Sequence, residues 1–323
     1  MHNRILTNSG PTYSPDSQSG GNYFYAVNID GAVKRSTNKG ASWSTVYSQY
    51  NYELTYLGCS GNGQYAEAAG WDYDTGTSIN GYKTSNYGSS WSTTASLCGA
   101  VAMSLTGQYQ YTIEDTYYSY SSNYGSSFTN DSEFPASCYS ICCSSSGQYV
   151  YAISPNTSSG SAVAISSNYG VTMSTTTTGL SLYTGNKYFV RCTANGQYVF
   201  VAGANGLFRS NNYGANGSWT RLLATAVHDV KVSSQGTYII AGRDSATSQA
   251  FVSRDSGSNW DTYNFGTSGD GYYTYVGCDA TGQYMLYSPG VDSTHYRSTD
   301  YGQNWSTVTI FDFSGTSFAT PNF

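Results

Sequence analysis

The sequence predicts an all-β chain folded as one seven-bladed β-propeller with four antiparallel strands per blade. Three observations predict it: an aromatic-rich, charge-poor composition, two short motifs that alternate seven times, and their spacing. Charged residues make up 10% of the 323 residues, against about 25% in an ordinary soluble domain. Tyr occurs 34 times and aromatics reach 16%, so a core can be built from rings that each bury a large area. Tyr, Thr and Val suit half-buried strands, whereas the 36 Gly and abundant Asn suit tight turns.

The first motif, called the box below, reads Ser/Thr-x-Asn/Asp-x-Gly. It begins at Ser36, Thr84, Ser121, Ser166, Ser210, Ser253 and Ser298. An aromatic usually stands three residues after its glycine: Trp43, Trp91, Phe128, Trp260 and Trp305. Met173 replaces it once, and an insertion pushes Trp219 two residues further. The second motif is Gly-Gln-Tyr at Gly63, Gly107, Gly147, Gly196 and Gly282, with variants at Gly21 and Gly236. One Gly-Gln-Tyr precedes each box, and the spacing runs from 37 residues (Gly88 to Gly125) to 49 (Gly147 to Gly196). Asn or Asp is expected to tolerate a left-handed backbone and to bond its own turn's amides, with Gly supplying positive φ. Such a turn joins two antiparallel strands, and Gly-Gln-Tyr opens another strand after a tight turn. Four strands per repeat, seven times, is the arithmetic of a seven-bladed propeller.

The box resembles the Asp-box, or bacterial neuraminidase, repeat of sialidases, sortilin-type receptors, xyloglucanases and photosystem II assembly propellers. The resemblance covers nearly the whole chain and implies fold more than function, because unrelated activities share this scaffold. Asn stands where the family has Asp at Asn38, Asn86, Asn123, Asn168 and Asn212; an amide oxygen still accepts the turn bonds. The sialidase motif Phe/Tyr-Arg-Ile-Pro does not occur. Arg35, Arg209, Arg254 and Arg297 sit in or beside boxes, on the wrong side for a carboxylate clamp.

Xyloglucanase-like members use two carboxylates across a cleft, separated by roughly 5–10 Å. The best acidic cluster is Trp71-Asp72-Tyr73-Asp74 with Glu114-Asp115. Both segments follow a Gly-Gln-Tyr strand, in blades two and three, so they are expected on one face opposite the boxes. Trp71, Tyr73, Tyr117 and Tyr118 would offer rings to a sugar; the plainer reading is loop solvation by isolated acids. The residue after the box Asn/Asp is Tyr at Tyr87, Tyr124, Tyr169, Tyr213 and Tyr301. Two readings stand side by side: packing on the neighbouring turn, or a flat amphipathic contact surface for glycans or further copies of the chain.

A nucleic-acid footprint needs basic clustering, and the formal charge is −6. No run of 18 apolar residues is present, so no membrane insertion is expected. Three histidines and no zinc-like spacing imply neither metal nor cofactor. The start Met1–Thr7 lacks a signal-peptide core, which fits a chain not exported by that route or a processed or recombinant start. Of the seven cysteines, Cys59, Cys143, Cys192 and Cys278 each lie four residues before a repeated Gly and read as small core residues. Cys98 and Cys138 are a second equivalent pair whose bridging stays open. Sequons occur at Asn130, Asn156, Asn216 and Asn304 and fit an extracellular location.

The propeller is expected to span residues 1–310, its first strand coming from residues 3–18. Residues 311–323 form a C-terminal tail, a closure strand or a contact segment. That tail holds Gly315–Pro321, which resembles the subtilase catalytic-serine motif but lacks matching His and Asp contexts. The expected function is non-enzymatic: a propeller of an extracellular or virion surface assembly (fibre, capsid or adhesin component), binding glycans or copies of itself. The alternatives are a glycoside hydrolase using Asp72 or Asp74 with Glu114 or Asp115, and an intracellular assembly factor of the photosystem II type.

Overall fold

The computed structural model describes residues 21–320 apart from 29, 51, 73, 76–78, 98, 115–116, 132–139, 155–161, 177–179, 181–188, 244–246, 268–273, 290–293 and 312–316. It contains seven four-stranded antiparallel sheets and no helix among the described residues. In blades two to seven the strands follow chain order from the axis outward. The inner strands are Tyr52–Cys59, Ala100–Met103, Ser140–Cys143, Phe189–Cys192, Val227–Val232 and Tyr275–Cys278. Each touches the next around the axis. These strands are covered on both sides, which is why several read as unbroken apolar runs such as Ala100–Met103, buried at every position.

Blade one closes the ring through the tail, one of the two roles expected for that segment. Its innermost strand is Ser317–Ala319, paired antiparallel with Phe24–Val27, so it comes from the far end of the chain and not from residues 3–18. Phe318 is buried with Phe24, Ala26, Leu286, Ile310 and Phe311 in the seam between blades seven and one. Thr320 Oγ1 accepts from Cys278 N at 3.1 Å and donates to Cys278 O at 2.7 Å. The resemblance of this segment to a protease motif therefore reduces to a closure strand.

The box turn joins the third and fourth strands of every blade. In blade one, Ser36 Oγ accepts from Gly40 N at 2.8 Å and donates to Asn38 Oδ1 at 2.9 Å, and Asn38 Oδ1 accepts from Ser42 N at 2.9 Å. The same bonds recur around Asn86, Asn123 and Asn168, and Asp255 and Asp300 make them as carboxylates. Trp43, Trp260 and Trp305 fold back so that each indole N–H donates to its own box glycine carbonyl. The left-handed residue, however, is not the Asn or Asp. It is the next one, with φ of 54° at Lys39, 60° at Tyr87 and Tyr124, 61° at Tyr169, 51° at Tyr213, 60° at Ser256 and 62° at Tyr301. The Asn/Asp oxygen must point back into the turn to meet two donors, so the reversal falls on its neighbour.

The Gly-Gln-Tyr turn lies beside the box of its own blade. A backbone bond joins them in all seven, from Lys39 N to Asn22 O at 3.0 Å in blade one and from Tyr87 N to Gln64 O at 3.0 Å in blade two. These turns also form a belt from blade to blade. Gly21 N donates to Gly61 O, Gly61 N to Leu105 O, Leu105 N to Ser145 O, Ser145 N to Ala194 O, Ala194 N to Ser234 O and Ser234 N to Ala280 O, all between 2.7 and 3.2 Å. The apolar core lies between blades: Tyr25, Val27 and Val33 of blade one pack with Leu54, Ala68 and Tyr82 of blade two.

Candidate functional sites on the two faces and in the channel

Chain direction assigns the faces. Box turns and Gly-Gln-Tyr turns share one end of the blades, and the turns between second and third strands lie at the other. On the box face, each of the five box tyrosines packs ring to ring on the Gly-Gln-Tyr tyrosine of the preceding blade, with the planes 29–37° apart. The pairs are Tyr23–Tyr87 (4.9 Å between ring centroids), Tyr65–Tyr124 (5.1 Å), Tyr109–Tyr169 (4.7 Å), Tyr149–Tyr213 (4.7 Å) and Tyr238–Tyr301 (4.6 Å). Where a box lacks tyrosine, a cation covers the ring: Lys39 lies 4.5 Å from the Tyr284 centroid, and Arg209 lies 5.6 Å from that of Tyr198. Tyr87, Tyr213 and Tyr301 are thereby half-buried, while Tyr124 and Tyr169 remain 44% and 37% exposed.

The box-flanking cations clasp the next blade. Arg35 donates to Tyr87 O and Arg209 to Ser256 O. Arg297 Nε donates to Lys39 O at 2.8 Å, Arg254 Nε to Tyr301 O at 2.9 Å and Lys83 Nζ to Gly125 O at 2.6 Å. The arginines are spent on carbonyls between blades. A groove opens on this side, between blades two and three, with a volume of about 460 Å³.

On the opposite face, Trp71 and Asp72 end the second strand of blade two (Ala66–Asp72), and Glu114 ends that of blade three (Gln110–Glu114), paired in register with Tyr117. Asp72 Oδ1 accepts from Asp74 N at 3.0 Å and Thr75 N at 2.9 Å. Hydrogen bonds from the Thr75 amide, the Thr75 hydroxyl and the Asp74 amide hold its carboxyl below the usual range, against a smaller opposing effect of desolvation. Asp72 is thus an ionised turn former. Asp74 is exposed. Tyr73 and Asp115, and the side chains of Glu114 and Tyr117, lie outside the described residues, as do Cys98, Cys138 and Asn156.

The channel carries charges that sequence reading passed over. Arg191 Nη2 pairs with Asp229 Oδ1 at 3.2 Å, and Arg191 Nη1 donates to Ser140 Oγ at 3.0 Å. Asp229 Oδ2 accepts from Val276 N at 3.2 Å, and Lys231 Nζ donates to Phe318 O at 3.3 Å. Blades four, five, six, seven and one are stitched together around a cavity of about 90 Å³. Burial, then the Arg191 charge, lowers the Lys231 amine to about 8. The lining thiols are free; burial pushes Cys59 up to about 12 and raises Cys143 and Cys192 well above their ordinary value, leaving them poor nucleophiles. A pattern of alternating apolar residues gives no hint of Arg191 or Lys231, because both occupy ordinary strand positions.

No family model matches the sequence, and neither does any curated protein sequence. Solved structures do share the fold. A GH74 xyloglucanase from Xanthomonas campestris superposes with a TM-score of 0.68 at 10% identity, covering 93% of this chain and 52% of that one. The chain therefore spans about half the length of that enzyme. YCF48 from Cyanidioschyzon merolae gives 0.59 at 14% identity, covering 85% of this chain and 90% of that one. A chain of a nidogen/laminin complex gives 0.54 at 8% identity, covering 93% and 99%. The protein is a seven-bladed β-propeller resembling the GH74 and YCF48 structures. At these identities the likeness concerns the fold alone.

Proposed function

We propose that this chain is a non-catalytic recognition propeller of the Asp-box kind, a component of an extracellular or virion surface assembly that binds glycan through its box face. One observation carries the reading: five tyrosine pairs packed ring to ring between blades, with Tyr124 and Tyr169 left exposed in turns rich in Ser, Asn and Gly. Rigid rings beside uncharged hydroxyls and amides suit the C–H faces and hydroxyls of sugars. The seven box turns support the Asp-box assignment, and the commitment of Asp72 to its own turn weakens its case as a catalytic acid.

A second reading keeps one specific support: Asp72 and Glu114 end equivalent strands of neighbouring blades, at the same end. A glycan-array screen run beside a polysaccharide hydrolysis assay tests both. Array binding without release of reducing ends is expected. Release abolished by Asp72→Asn or Glu114→Gln would replace the recognition reading by the hydrolase. Size-exclusion chromatography at high concentration reads out association between copies.

A further inference from the structure

The seven blades repeat one pattern after Gly-Gln-Tyr. The next residue turns toward the preceding blade, and six blades place an apolar side chain there: Phe24, Ala66, Val150, Val199, Ile239 and Met285, all buried. Blade three places Gln110, 2% exposed. The residue after it turns toward the following blade. In blades one, three and four it is a tyrosine whose hydroxyl donates to the next blade's glycine carbonyl: Tyr25 to Gly63 O at 2.8 Å, Tyr111 to Gly147 O at 2.6 Å and Tyr151 to Gly196 O at 2.7 Å. Blade two has Glu67 instead, fully buried.

The two departures meet at the same seam. In this seam Gln110 Nε2 donates to the Gly107 carbonyl, at 3.1 Å, where a tyrosine hydroxyl serves the equivalent carbonyl in the seams after blades one, three and four. With the nitrogen committed, Oε1 is the amide atom left over, and it is buried without a hydrogen-bond partner. An acceptor in that state costs the fold unless a donor reaches it. Gln110 lines the 460 Å³ groove between blades two and three together with Tyr65, Lys83, Ser92, Tyr124 and Ser126. That volume falls within the range of about 300–1,000 Å³ common for small-molecule sites. The Tyr65–Tyr124 pair, its rings tilted by 31°, forms an aromatic wall. Lys83 already donates to Gly125 O at 2.6 Å, so the groove offers an unmet acceptor and hydroxyls rather than a free cation.

We infer that the groove between blades two and three is a binding site for one neutral pyranose residue, whose hydroxyl donates to Gln110 Oε1 while its C–H face packs on the Tyr65–Tyr124 wall. Two unmet groups belong to residues lining the groove, the Gln110 Oε1 acceptor and the Trp91 Nε1 donor, and a hydroxyl can serve both where a carboxylate or phosphate serves only the second. This site rests on the glycan-binding reading and names where it acts.

The test uses the full chain and a panel of methyl glycosides of glucose, galactose, mannose and N-acetylglucosamine, followed by ligand-observed NMR and calorimetry. The wild type is expected to bind at least one. Gln110→Met and Tyr124→Ala should each weaken it by about tenfold or more, while Thr220→Ala, an exposed change on the outer strand of blade five, leaves it unchanged. Ser126→Trp, an exposed substitution that fills the groove, decides the matter should Gln110→Met fail to fold. Glycoside or array binding untouched by Tyr124→Ala and Ser126→Trp would overturn the groove and leave the glycan reading standing. A wild type that binds nothing on the array or the panel would overturn both.

Discussion

The hydroxyl of Tyr25 in blade one donates to the carbonyl of Gly63 in blade two at 2.8 Å, across a seam where both residues are buried. A side chain of one repeat thus completes the turn of the next. Tyr25→Phe should destabilise the protein by about 1–2 kcal/mol in urea unfolding, because the Gly63 carbonyl is left dry and unpaired. Tyr151→Phe should do the same at Gly196. The double variant should show the sum, since blades one and four share no partner. Gly63→Ala should be far worse: φ is +76°, and its Cβ would meet Tyr23 Cβ at 2.3 Å.

Burial raises the phenols of Tyr25, Tyr111, Tyr151 and Tyr287 above their ordinary value. Their folded values exceed the unfolded one of about 10, so their contribution is complete below pH 10 and is lost as pH rises above it. Each then removes up to about 1.4 kcal/mol per pH unit. Steep alkaline unfolding is expected, with late tyrosinate absorbance rising together with the loss of circular dichroism. Full tyrosinate absorbance in a still-folded protein would contradict it.

Lys231 has the opposite sign. Its folded value of about 8 lies below the unfolded value of about 10.4, so the unfolded chain binds more protons between them. Its penalty is fully present below pH 8 and is relieved as pH rises toward 10. Arg191, Asp229, Cys59 and Cys278 are the charged or titratable groups that act on it. Lys231→Met should stabilise the protein by on the order of 2 kcal/mol at pH 7, and the gain should vanish near pH 10. Equal gains at both pH values in denaturant titrations would show that packing, not charge, was the cause.

Removing residues 312–323 should abolish cooperative unfolding, because blade one loses its inner strand and Phe318, 1% exposed, leaves the seam. The truncated chain supplemented with a peptide of residues 312–323 should regain the transition. A truncated chain with unchanged melting would refute the closure.

Strand number, blade number and turn placement were legible because each repeat makes its box with its own residues: Ser36, Asn38 and Gly40 need nothing from another blade. What joins different repeats was not legible. Tyr23 meets Tyr87 and Arg35 meets the Tyr87 carbonyl only once handedness sets which blade follows which. The tail reads as a closure strand or a contact segment, but Ser317–Ala319 is only three residues long and the motif it resembles belongs to a protease, so the pairing with Phe24–Val27 was not legible. The left-handed tyrosines were missed because Asn is the usual occupant of that conformation; here the Asn oxygen is held by the turn. For the groove a signal did exist: aligning the seven repeats on Gly-Gln-Tyr isolates Gln110 and Glu67 as polar residues in columns otherwise apolar or aromatic.

The closure has a mechanical consequence. Phe24–Val27 and Ser317–Ala319 run antiparallel, with Tyr25 opposite Ala319 and Val27 opposite Ser317, so the chain enters and leaves blade one at the same edge. Tension applied between those two exits loads the ladder as a zipper, one rung at a time, and the ring should yield at low force. Tension applied through loops of opposite blades instead strains the whole hoop in parallel. A particle tethered by its faces would withstand pulling that one tethered by its chain ends would not.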